Sequence, residues 1–71
     1  MELDYKAIGK RIKIARIKAD LTQERLAERI EISPTHLSNI ETGTTRVSLS
    51  TLSVLQMLYP LQVTIYSVII L

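Results

Sequence analysis

The sequence predicts an all-α fold of four to five short helices. Three observations carry that prediction. Apolar residues recur at helical spacing, cap-forming polar residues stand before later segments, and residues that tolerate a left-handed backbone follow two of them. From Tyr5 to Ala19 the residues Ile8, Ile12 and Ala15 form one stripe with Lys and Arg between them, and Ile14 and Ile17 widen the apolar surface. Asp20 is a plausible stop, since Asp adopts positive φ more readily than most residues. Thr22 reads as the N-cap of a second helix, its hydroxyl oxygen placed to accept from a first-turn amide. Glu24 suits the positive end of that helix dipole, and Leu26, Ala27 and Ile30 supply the inner face. Ser33 caps a third helix. Pro34 takes its first position, where the missing N–H is no loss, and Leu37 and Ile40 point inward. Gly43 ends that helix, Thr44 to Val47 form a loop, and Ser48 or Ser50 caps a fourth helix running to about Leu58.

Seventy-one residues make one domain at most, here 1–71 with its core in 6–58, and so small a chain is only marginally able to bury a core of its own. Without cysteine there is no disulfide and no Cys-type zinc site, and His36 has no second His for company, so no metal or other cofactor is expected. The opening Met1-Glu-Leu-Asp-Tyr5 has acids where a secretory leader carries bases, so the expected place is the cytoplasm. Net charge is +2, yet every charged residue lies within 1–46. Lys6, Lys10, Arg11, Lys13, Arg16 and Lys18 crowd the first segment, which suits an anionic partner or, equally, a solvated face. There is no nucleophile beside a base, no carboxylate pair in an apolar setting and no phosphate loop, so neither an enzyme nor a small-molecule substrate is expected.

Residues Gln23 to Glu41 read as two short helices joined by a tight turn, the second with a polar, uncharged face. Small proteins place a helix in the DNA major groove this way. Ala27 falls at the helix crossing, where a small side chain lets the backbones approach. Leu37 and Ile40 anchor the second helix and leave Thr35, His36, Ser38 and Asn39 outside. Such side chains both donate to and accept from base edges. The plainer alternatives are a local cap for Thr35 and ordinary exposed positions for Ser38 and Asn39. Thr44, Thr45 and Arg46 form a loop suited to phosphates, which positions a domain without reading sequence.

Several motifs agree in order and spacing: Ile8-Gly-Lys-Arg-Ile12, Arg16, Leu21-Thr-Gln-Glu24, Leu26-Ala27, Ser33 through Glu41, Gly43, and Ser48-Leu-Ser-Thr-Leu52. Over roughly residues 6–52 the chain resembles the Cro/CI-repressor-type, or XRE-like, helix-turn-helix domains. The resemblance implies a small lambda-repressor-like bundle, encoded by a bacterium or a phage. It implies that Thr35, His36 and Asn39 probe base edges while Gln23, Ser33 and Ser38 join the loop in holding phosphates, Gln23 also bracing the recognition helix. It implies a structural ion pair between Arg16 and Glu41. One departure stands out: Glu31 occupies a turn position where the family usually places glycine, at an expected cost on the order of 1 kcal/mol.

After Leu52 the resemblance read from the motifs stops. Ser53 to Leu71 carries no charge, and plausible codons displaced by one nucleotide turn it into a sequence like the family's last two helices. The tail is therefore read as a frame-displaced segment, a reading that fails if the gene's other frame encodes no such helix pair. A membrane span, which needs ~20 apolar residues, is disfavoured by Ser48, Ser50, Thr51, Ser53, Gln56, Gln62, Thr64, Ser67 and a central Pro60. Leu61 to Leu71 is apolar enough to form a dimer surface, and Val63 to Leu71 has an aggregation signature. The expected function is sequence-specific binding of double-stranded DNA by a homodimeric transcriptional repressor. The rival is a protein-interaction or antitoxin-like module of the same fold that does not bind DNA.

Overall fold

Four helices follow one another in the structure, a computed structural model that describes residues 4–59. They are α1 (Tyr5–Lys18), α2 (Gln23–Arg29), α3 (Pro34–Thr42) and α4 (Leu49–Leu58). The expectations that fall on residues 60–71, namely a fifth helix and a dimerising or aggregating apolar end, lie outside the described residues.

Each helix begins on a side-chain cap. Asp4, Thr22, Ser33 and Ser48 accept from the amides of Ala7, Arg25, His36 and Thr51 at 3.0, 3.1, 3.0 and 3.2 Å. Each cap satisfies one of the donors that a helix start leaves without a partner. Ser48 rather than Ser50 caps α4, and Ser33 rather than Thr35 caps α3.

The first three helices also end alike. A residue of positive φ follows each one: Asp20 at 61°, Glu31 at 61° and Gly43 at 78°. The next amide then reaches back five residues, Leu21 to the Arg16 carbonyl at 3.1 Å, Ile32 to Ala27 at 2.9 Å and Thr44 to Asn39 at 2.9 Å. These bonds satisfy carbonyls that the helix end leaves open and turn the chain sharply. Only Gly43 has the residue type that takes this backbone without strain.

The core gathers Ile8, Ile12 and Ala15 of α1, Leu26 and Ala27 of α2 with Ile30 just after it, Leu37 and Ile40 of α3, Val47 of the loop, and Leu52 and Leu55 of α4. Ala27 is fully buried, as its place at the crossing requires. The atypical segment beginning at Ser53 still contributes Leu55 to this core. Ile14 and Ile17 differ: they are 41% and 57% exposed, so the apolar surface they add to α1 faces solvent.

Gly9 sets the approach of α1 to α3. A Cβ built there would collide with the Ile40 carbonyl oxygen and lie 2.8 Å from that of Glu41. The two backbones pass too closely for any side chain between them. That closeness brings Arg16 within reach of the end of α3.

Candidate nucleic-acid interface

Glu41 is the one charged residue buried among the described residues, with its side chain 2% exposed. A buried carboxylate requires compensation. Arg16 supplies it through Nε to Oε2 at 2.7 Å and through Nη2 to Oε1 at 3.3 Å. The same guanidinium donates through Nη1 to the Leu21 carbonyl at 2.9 Å, which ties the α1–α2 turn into the network. Gln23 Nε2 completes the set, donating to Glu41 Oε1 at 2.9 Å. The Arg16–Glu41 pair is thus present, and the side chain at the start of α2 braces the end of α3.

Where α2 begins against the outside of α3 there is a crevice of about 240 Å³ lined by Gln23, Glu24, Pro34, Thr35, Ser38 and Asn39. Four residues expected from the sequence to face DNA therefore meet in one concavity. No side-chain polar group of Thr35, His36, Ser38 or Asn39 bonds to another described residue. By contrast, the hydroxyl oxygens of Thr22, Ser33 and Ser48 are used as caps. The outer face of α3 is left polar, uncharged and uncommitted. Hydrogen-bonding groups without an internal partner are available to an external one.

The remaining expected residues lie around this crevice. Ser33, at the head of α3, accepts the His36 amide, and its hydroxyl proton stays free to donate. His36 is half-buried and is not part of the crevice wall. Thr44, Thr45 and Arg46 lie past the far end of α3. The amides of Thr44 and Thr45 both donate to the Asn39 carbonyl, at 2.9 and 3.2 Å, and the Thr42 and Thr44 hydroxyls are 2.9 Å apart. Arg46 sits over the ring of Tyr5, 5.6 Å from its centroid, so the loop is stacked on the first turn of α1.

Three contributors had no signal in the linear pattern. In the linear pattern Pro34 is only a helix-starter and Glu24 only a dipole partner, yet both line the crevice. Tyr5, in sequence only the start of a helix, is the platform for Arg46. Tertiary juxtaposition alone reveals these roles, because the partners are distant in sequence.

Two helices joined by a left-handed turn, the second braced by the first and presenting a free polar face, define a helix-turn-helix DNA-binding domain. The chain belongs to the helix-turn-helix family of Cro/CI-repressor type: the family model described as helix-turn-helix matches residues 12–64. The match runs well past Leu52, where the resemblance read from motifs stops, and it takes in all of α4. No curated protein and no solved structure matches the chain. Among the described residues no helix is long and apolar enough to cross a membrane.

Proposed function

We propose that the chain is a transcriptional repressor that inserts α3 into the major groove of a specific double-stranded DNA site. The observation that carries this reading is the crevice between α2 and α3, where uncharged, internally unbonded side chains of α3 meet Gln23. In this reading Thr35, His36 and Asn39 contact base edges, as Asn does in bidentate fashion with adenine. Gln23, Ser33, Ser38, Thr44, Thr45 and Arg46 hold phosphates on either side and set the register. One recognition helix reads few bases, so the protein acts as a homodimer on a two-fold site in the cytoplasm. Leu49, Val54, Met57 and Leu58 on α4 are exposed among the described residues and offer apolar surface for such pairing.

The test is a gel-shift selection from random duplexes, repeated with His36→Ala and Asn39→Ala. Enrichment of one two-fold sequence is expected, with affinity falling steeply as salt rises because bound counterions are released. Asn39→Ala is expected to lose about 1–3 kcal/mol of discrimination at a single base pair. If no duplex is retarded even at low salt, the repressor reading fails and a protein-interaction module of the same fold takes its place.

A further inference from the structure

We propose that the outer face of α1 is a docking surface for an acidic amphipathic helix of a partner protein. A shallow groove of about 630 Å³ runs along this face and is bounded on one side by the end of α3 at Thr42. Its walls carry Lys6, Lys10, Lys13, Ile14 and Ile17 of α1, with Glu41 beside Thr42 on the α3 side. The α1 positions are three or four residues apart, so they share one side of the helix. The surface is mixed in a specific way. Two large aliphatic side chains, 41% and 57% exposed, lie beside a row of lysines. No lysine of that row pairs with a carboxylate among the described residues. Glu41, the one acid in the groove wall, is 2% exposed at its side chain and is engaged by Arg16 and Gln23, so its charge is answered within the protein.

Charge and apolar surface together select the occupant. Duplex phosphates would answer the lysines but bring nothing to cover the isoleucines. A second copy meeting this face through a two-fold axis would set lysines against lysines, which opposes association. An amphipathic helix with carboxylates along its flanks and aliphatic anchors at its centre answers both features at once. From Lys6 to Ile17 the face is about 16 Å long at a rise of 1.5 Å per residue, room for about three turns of a partner helix. The groove shares no residue with the crevice between α2 and α3, so DNA and partner can be held together. The proposal does not depend on the repressor reading.

The probe is a synthetic helical peptide of about 14 residues, with leucines on one face and glutamates flanking them, titrated into the isotope-labelled full chain at low salt. Amide shifts are expected to concentrate in α1 and at Thr42. Affinity is expected to drop about tenfold or more with Ile17→Asp, with Lys10→Glu, and when the peptide glutamates become glutamines, about 1.4 kcal/mol or more each. Both protein substitutions are at exposed positions, and circular dichroism confirms that the fold is kept. DNA affinity of Ile17→Asp is expected to match the parent. The inference is overturned if no peptide binds, if the glutamine peptide binds as well, or if the shifts fall elsewhere. It is equally overturned if Ile17→Asp abolishes self-association while the peptide leaves α1 untouched, or if Lys10→Glu weakens DNA binding and not peptide binding.

Discussion

The side-chain amide of Gln23 lies 2.9 Å from Oε1 of Glu41, which makes the residue proposed to meet a phosphate part of the network that ends the recognition helix. The start of α2 and the end of α3 are thereby held as one unit before any DNA arrives. Such preorganisation lowers the ordering entropy lost on binding.

Substitutions in this network should separate stability from binding. Arg16→Ala leaves Glu41 buried with only Gln23 beside it, and breaking such a pair from one side is expected to cost about 3–5 kcal/mol. For a domain of this size that unfolds a large fraction of the protein, as chemical denaturation will show. Gln23→Ala keeps the ion pair, so its stability loss is expected to be about 1 kcal/mol. Its DNA affinity should fall by more than that loss explains. Equal stability losses for the two variants would contradict the network described.

Gly9→Ala is expected to destabilise the domain even though alanine is the better helix former by about 1 kcal/mol. The added methyl meets the Ile40 carbonyl oxygen, which is backbone and cannot swing aside. Overpacking of this kind costs about 1–3 kcal/mol or more when the backbone must shift. A lower urea midpoint for Gly9→Ala than for Lys10→Ala, an exposed change on the same helix, is the expected result.

Glu31→Gly should act in the opposite direction. Glu31 holds φ at 61°, a conformation that disfavours L-residues by roughly 1–2 kcal/mol. Glycine removes that strain and gives back part of the gain through its freer unfolded state. A net stabilisation of about 1 kcal/mol is expected, which raises the melting temperature by about 4–8 °C for a domain of this size. Asp20→Gly relieves the same backbone, with a smaller gain because Asp tolerates it better.

Tyr5 is expected to position Arg46. Tyr5→Ala removes a cation–π contact worth about 0.5–1 kcal/mol where the cation is exposed, together with the packing of this half-buried ring against the core, and frees the guanidinium. DNA binding should weaken about two- to fivefold, by that same energy, with the salt slope unchanged because the charge remains. Tyr5→Phe keeps the ring and should bind as the parent does. Arg46→Gln, in contrast, is expected to reduce the salt slope by about one. A Phe variant as weak as the Ala variant would show that the ring contact is not what matters.

Much of the fold was legible because its signals are local. Thr22, Ser33 and Ser48 cap helices through bonds to amides three residues on, and Asp20, Glu31 and Gly43 turn the chain by their own dihedral angles. Local chemistry of that kind is written into adjacent residues. Gly9 was not legible as a crossing point, because its meaning depends on a carbonyl in α3. Ile14 and Ile17 could be counted as apolar, but their exposure depends on where the other helices stop.

For the candidate site, the residue types on the outer face of α3 followed from its helical period once Leu37 and Ile40 were assigned inward. The sequence by itself determined the helices, the caps of α2 and α3, the sharp ends and the polar face of α3, because hydrogen bonds over three to five residues and a 3.6-residue period decide them. Only the tertiary structure decided that Gln23, Pro34, Thr35, Ser38 and Asn39 share one crevice, that Arg46 rests on Tyr5, and that a basic, aliphatic face of α1 stays open. Those outcomes depend on how closely separate helices approach, a distance set here by a glycine, an alanine and one buried ion pair.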